Sequence, residues 1–313
     1  MRDTSANRTL KEGLLDASQS EIFFQLEENF RMNPNLCNFV ELIYQKKFQP
    51  SPIRRDIARM GFVMSEYLES AKSEVHLFLK GVSEVMQFGK SETMNKPPSL
   101  ENVKGPIPTS LFLVNLVPRL DQWAPLELHL KLEAKMVANL VSDLSIAFEE
   151  EKIFVVTPHR VQRSLITSEL SCLGVEVKTA QNGDSKRIWA DTTERMQGEL
   201  SSIRVKLSIG SEADIVVCVF SHTHKPSLRR DLDFLYNRPR LNVAISRAKT
   251  LSIVISSEGV LNPPVEALVE KGNLEGFTYL KAFQERAWNF HQIVEGNMVD
   301  KQIIKYYLDE GYN

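Results

Sequence analysis

Two arginines in RPRLNVAISRAK, Arg238 to Lys249, have the types and spacing for chemistry: Arg240 and Arg247 stand seven apart. On one helix that spacing is two turns, so both guanidinium groups emerge on one face with Val243 and Ala244 packing beneath. By spacing alone, an ordinary basic amphipathic helix with its arginines in water is the better reading. Gly89-Lys90-Ser91 has the look of a phosphate loop, but Glu84 occupies the place of the first glycine and a helical pattern precedes it where a buried strand is needed. It reads as a helix end with a solvated lysine. No apolar strand ends in paired carboxylates that could hold magnesium. His222 and His224 flank one residue beyond a strand, with no Cys or carboxylate cluster to complete a tetrahedral site, so they read as a polar loop and no metal is expected. No Ser-His-Asp or Cys-His arrangement can be argued from spacing.

The elements that must position these residues alternate from Leu111 onward. Apolar runs at Leu111 to Val117, Ile153 to Thr157, Val175 to Val177, Ile188 to Ala190, Ile215 to Phe220 and Leu251 to Ser256 read as strands. Helical spacing between them covers Leu128 to Phe148, His159 to Leu173 and Leu241 to Ala248. That order predicts right-handed crossovers and an α/β fold, a mostly parallel sheet with helices on both faces. The first hundred residues are mostly helical in pattern, running from Phe62 to Met86, and Tyr279 to Phe290 predicts one more helix in the tail. A net charge of −2 leaves any nucleic-acid binding to a local patch. Cys37, Cys172 and Cys218 lie far apart and imply no disulfide framework. No apolar run approaches a membrane span and no signal core follows Met1, so a nuclear or cytoplasmic location without a membrane partner is expected.

Five phrases occur in a telling order: Asn29 to Pro50, VVTPHRVQ (Val155 to Gln162), DTTERMQG (Asp191 to Gly198), SEADIVV (Ser211 to Val217) and RLNVAISRAK. Together they resemble the motifs of the C-terminal RecA-like domain of superfamily 1 helicases. The branch is the one containing the nonsense-mediated-decay helicase, senataxin and the replication nuclease-helicase. The resemblance implies a RecA-like domain over residues 1–260, with a helical insertion at about 53–99, an extra segment at 199–210, and a tail at 261–313. In such helicases ATP with magnesium sits between two RecA-like domains, the first holding the phosphates and the second lending arginines.

By that resemblance Phe30 stacks on adenine, Arg31 reaches the γ-phosphate, and Arg247 is the arginine finger. Gln197, Gly198 and Arg240 approach the nucleotide, and Glu212 accepts a hydrogen bond from the ribose. Thr157, Thr192 and Arg160 meet the phosphate backbone of single-stranded RNA or DNA. Glu133-Ala134 matches a family element of structural meaning. Phe30 could instead be ordinary core, Arg31 a surface cation, and Glu212 with Asp214 a solvated turn. His159 stands where the family favours Tyr. No first RecA-like domain is legible, so ATP turnover is expected only with that half supplied by a separate domain or partner, from a truncated or degenerate copy. The rival expectation is a non-catalytic scaffold that grips a protein through 53–99 or the tail. The segment Glu199 to Gly210 alternates as a strand would, with Ile203, Val205, Leu207 and Ile209 apolar, yet it separates MQG from SEAD, which run nearly together in the family. It reads either as a β-ribbon or, preferentially, as a translated in-frame intron.

Overall fold

Short apolar runs bounded by breakers become the strands, and their alternation decides which core each side chain joins. The structure, a computed structural model, describes residues 28–29, 32–44, 49–50, 57–71, 74–88, 109–120, 124–178, 187–193 and 212–295. The first elements are β1 (Glu28–Asn29), α1 (Pro34–Tyr44) and β2 (Gln49–Pro50), with β1 and β2 paired in parallel. Two helices follow, α2 (Ile57–Ser70) and α3 (His76–Phe88). Then come β3 (Leu111–Arg119), α4 (Leu126–Ala147), β4 (Ile153–Thr157), α5 (Arg160–Cys172), β5 (Val177–Lys178) and β6 (Ile188–Thr192). The last third holds β7 (Ala213–Val219), α6 (Lys225–Leu235), α7 (Arg238–Ile245), β8 (Ala248–Ser257), α8 (Glu258–Leu261), a 3₁₀ turn (Val265–Leu268), α9 (Lys271–Arg286) and β9 (Trp288–Glu295).

Seven strands form one sheet in the order β5-β6-β4-β7-β8-β3-β9, and every pairing in it is parallel. Each strand feeds both faces. Ile153 and Val155 of β4, with Ile215, Val217 and Val219 of β7, join a core shared with α2, α3, α4 and α5. Phe154 and Val156, with Val216 and Cys218, join the opposite core shared with α1, α6, α7 and α9. A period of two across a sheet covered on both sides gives this division, and it explains why these strands read as continuous apolar runs. The α/β, RecA-like architecture with helices on both faces is therefore as expected.

Two local expectations fail. The helical pattern from Phe62 to Met86 divides into two helices, α2 ending at Ser70 and α3 beginning at His76. The predicted helix from Tyr279 to Phe290 ends at Arg286, and Trp288–Glu295 is a strand pairing along the whole of β3's outer edge. Its burial alternates, with Trp288 and Val294 buried and Asn289, His291, Ile293 and Glu295 exposed, which is the mark of an edge strand. The available hydrogen-bonding edge of β3 outweighs local helical spacing.

Helix α3 and strand β9 are packed on each other. Trp288 stacks on Phe78 of α3 with centroids 6.0 Å apart, and Phe290 lies 5.5 Å from Phe78. Gly81 makes this possible, because a Cβ there would sit 2.2 Å from the Trp288 ring. Tyr67 of α2 donates to Asp143 of α4 at 2.8 Å, and burial, then this bond and the Asp143 charge, push the phenol up to about 12.

Candidate functional site

The residues singled out by the sequence fall at the two ends of the sheet. At the amino ends, Ala213 of β7 pairs with Ala248 of β8, so Glu212 and Arg247, each one residue earlier, are brought side by side. The Ala213 N–H donates to the Arg247 carbonyl at 3.2 Å, and Glu212 pairs with Lys249 at 3.5 Å, both partly exposed. The segment leading into α1 reaches the same place through Asn33. Its backbone N–H donates to the Lys249 carbonyl at 3.1 Å, its side-chain amide to the Thr250 carbonyl at 2.7 Å, and its Oδ1 accepts the Leu36 N–H at 3.1 Å. Sequence reasoning missed Asn33, although Asn followed by Pro34 is a helix-start signal. Phe30, Arg31, Gln197 and Gly198 lie outside the described residues, as do the segment 199–210 and Gly89-Lys90-Ser91.

The two arginines do not share a helix. Helix α7 ends at Ile245, and Ser246 and Arg247 form the turn into β8. A buried strand must start at Ala248 to pair with Ala213, so the helix has no room to continue. Arg240 remains on α7, where the side chain of Asn237 caps the helix by accepting the Arg240 N–H at 3.0 Å. Its guanidinium carbon lies 3.7 Å from the centroid of Phe234.

At the carboxyl ends, Thr157 of β4 and Thr192 of β6 are register partners. Their two hydroxyl-bearing residues thus sit abreast, with exposed Arg160 opening α5 just beyond. Both threonines are buried, at 0% and 1% exposure. The Thr157 hydroxyl donates to the His159 carbonyl at 3.1 Å, and the Thr192 N–H donates to Asp191 Oδ1 at 2.8 Å. The same Asp191 oxygen accepts from Arg163 at 3.1 Å, which ties the end of β6 to α5.

Beside this end lies a buried carboxylate whose role the sequence left as merely structural. Glu133 of α4 is 1% exposed and accepts four hydrogen bonds. Gln162 of α5 and the Ser221 hydroxyl reach one oxygen at 3.0 and 2.6 Å. The Thr223 N–H and hydroxyl reach the other at 2.8 and 2.7 Å. One carboxylate thereby clamps α4, α5 and the loop leaving β7. Because the Thr223 hydroxyl gives its proton to Glu133, it must accept from His129 Nδ1, 3.0 Å away, which fixes that tautomer. His222 meets Asp231 at 3.2 Å and Ser227 at 2.8 Å, and His224 meets Ser227 at 2.7 Å. These histidines are thus held in a polar loop. Among the described residues no group of three or more His, Cys, Asp and Glu is arranged to hold a metal ion. Nor is any described helix long and apolar enough to cross a membrane.

Burial, then the neighbouring His224 and His222, push His129 down from 6.5 to about 4. The unfolded chain therefore binds a proton at His129 between about 6.5 and 4 that the folded chain refuses, so its contribution to stability is complete above that window and is lost as pH falls through it. The slope from this one group is at most about 1.4 kcal/mol per pH unit. Urea midpoints of wild type and His129→Gln measured from pH 7 to 4.5 are expected to show a shallower decline in the variant; parallel curves would contradict the assignment.

A parallel sheet covered by helices on both faces, with polar groups gathered at both strand ends, is consistent with a RecA-like domain. A family described as an AAA domain matches this sequence over residues 6–259, which is most of its 313 residues. The chain belongs to that family, as a C-terminal RecA-like domain of the superfamily 1 helicases. Among solved structures, the C-terminal domain of a possible DNA helicase from Lactobacillus plantarum WCFS1 is similar at 16% identity, over 60% of this chain and 92% of that one, with a TM-score of 0.32. No curated protein matches.

Proposed function

We propose that the chain is the second motor half of a superfamily 1 helicase of the branch described above. In this reading the carboxyl ends of β4 and β6 hold single-stranded RNA or DNA, and the amino ends of β7 and β8 face ATP bound with magnesium on a first RecA-like domain. The observation that carries the reading is the pairing of its residues. Register sets Thr157 beside Thr192 at one end of the sheet, and Glu212 beside Arg247 at the other. A seven-residue strand spans about 23 Å, so the two sets are separated by the sheet yet joined rigidly through it. Arg247, with Arg31, would neutralise charge developing on the transferred phosphoryl group. Glu212 would take the ribose, Phe30 the adenine, and Gln197 and Gly198 would line the nucleotide, whereas Arg240, beside Phe234 and His159, stands near the exit of β4 and not at the amino ends. ATP turnover then requires the first domain's phosphate loop, and this chain alone is expected to bind a non-hydrolysable ATP analogue weakly in isothermal titration and to show no robust ATPase.

Strand binding supplies the sharper test. The Thr157 hydroxyl spends its only proton on the His159 carbonyl, so Arg160 is the exposed donor at this end and carries the first contact. Arg160→Ala is expected to weaken single-stranded oligonucleotide binding about fivefold and to reduce the salt slope by roughly 0.7. An affinity that Arg160→Ala leaves unchanged across salt would move the grip elsewhere. The rival reading is a protein scaffold, favoured by Phe62 and Leu77 on the α2–α3 hairpin, which are 55% and 71% exposed. A chain that binds neither oligonucleotide nor ATP analogue but retains its fold would favour the scaffold.

A further inference from the structure

Phe234, one residue before the end of α6, meets two groups, one from α7 and one from the exit of β4. Arg240 of α7 places its guanidinium carbon 3.7 Å from the ring centroid. The imidazole of His159 stacks on the same ring, centroid to centroid 4.8 Å with the planes 22° apart. One ring face has room for a single planar group at such distances, so guanidinium and imidazole occupy opposite faces.

His159 is the point where this stack enters the strand-binding end. Its carbonyl accepts both the Thr157 hydroxyl at 3.1 Å and the Arg163 N–H at 3.1 Å, the bond that starts α5. Arg163 in turn holds Asp191, which holds the Thr192 N–H. A displacement of the His159 ring therefore pulls on the residue to which Thr157, α5 and, through Arg163, Thr192 are all fastened. On the other side, Arg240 sits on the helix that leads through the Ser246-Arg247 turn into β8.

We infer that Phe234 is a positioning residue that couples α7, and through the Ser246-Arg247 turn at its far end the nucleotide side, to the loop Thr157 to Arg160 on the nucleic-acid side. This rests on the second-motor-half reading above. Phe234 neither touches the nucleotide nor the strand; it transmits the position of α7 to the exit of β4. A merely space-filling phenylalanine would instead make independent contributions with each neighbour.

Fluorescence anisotropy of the full chain with labelled single-stranded oligo-dT and oligo-rU probes tests this. Arg240→Ala is expected to weaken binding about threefold although Arg240 faces the ring, and Phe234→Ala to weaken it about equally. The double variant should lose no more than either single, because one connection is broken in all three. Phe234→Tyr keeps the ring face and should restore binding. Losses that multiply in the double variant overturn the coupling, as does an Arg240→Ala chain that binds like wild type while Arg160→Ala alone weakens binding. If neither probe binds the wild-type chain, the strand-binding reading fails, and the stack is judged by the His159 ring signals in the NMR spectrum. Those signals must shift on Arg240→Ala and must not shift when the same change is made in the Phe234→Ala background; any other pattern overturns the inference.

Discussion

Glu133→Ala is expected to lower the stability of the chain by about 3–5 kcal/mol, a large part of what a domain of this kind possesses. The carboxylate is 1% exposed, and its removal strands four donors at once: the Gln162 amide, the Ser221 hydroxyl, and the N–H and hydroxyl of Thr223. Each buried donor left without an acceptor costs about 1–3 kcal/mol, although the two hydroxyls can turn to find other partners. Glu133→Gln separates charge from connectivity. Its amide oxygen can keep both bonds to Thr223, and its NH₂ then faces Ser221, whose hydroxyl can accept. Gln162 can flip to present Oε1, which has no hydrogen-bond partner in the structure as it stands. Glu133→Gln should therefore cost only about 1 kcal/mol. Urea unfolding of the two variants checks this, and equal losses would mean that the charge itself, rather than the count of acceptors, holds the clamp.

The consequence reaches the site because the clamp joins α5, which Arg160 opens, to the loop Ser221 to Thr223. The loop is also held by Ser257, whose hydroxyl bonds the His222 N–H and carbonyl, and the helix start by Arg163 on Asp191, but Glu133 ties the loop and the helix to each other. The carboxyl end of the sheet, where a nucleic-acid strand is proposed to bind, is thus organised by a carboxylate buried in the core. An acidic residue next to a surface proposed to meet an anion is tolerable here because four donors satisfy it within the core.

What was legible in the sequence followed from signals that are local. Continuous β-branched runs such as Ile215 to Val219 are readable because a strand covered on both faces needs no polar alternation. The strand end at Thr157 was readable for the same reason, and Pro158 marks it. The error at Trp288–Glu295 has the opposite origin: an edge strand half in water carries polar residues at Asn289, His291 and Gln292, and only the free edge of β3 decides its conformation. The shared helical face of Arg240 and Arg247 failed because spacing assumes that the helix continues, and pairing of Ala248 with Ala213 stops it. Asn33 and Glu133 were hidden by distance along the chain. Asn33 binds residues 77 and 217 positions away, and Glu133 binds partners 29, 88 and 90 positions away, which no periodicity records.

Gly276→Ala is the second change with a large expected effect, and it gives the tail a role in the site. A Cβ on Gly276 of α9 would lie 1.6 Å from the Tyr236 carbonyl oxygen, 2.3 Å from its carbon and 2.7 Å from its Cα. All three are backbone atoms, so no rotamer change relieves the clash. Tyr236 cannot retreat easily, because its ring is fully buried and its hydroxyl donates to the Val260 carbonyl at 2.6 Å. The next residue, Asn237, caps the helix that carries Arg240. Alanine in a helix gains about 1 kcal/mol over glycine. Overpacking against fixed backbone should exceed that gain and leave a net loss of more than about 3 kcal/mol. Gly272→Ala in the same helix is the control, since a Cβ there meets nothing within 4 Å, and it should be neutral or slightly stabilising. Thermal unfolding of both variants decides the matter. A Gly276→Ala chain that melts with the Gly272→Ala chain would show that α9 can slide off the corner between α6 and α7. A large loss confined to Gly276→Ala would mean that residues beyond 260 fix the approach of the arginine helix to the sheet.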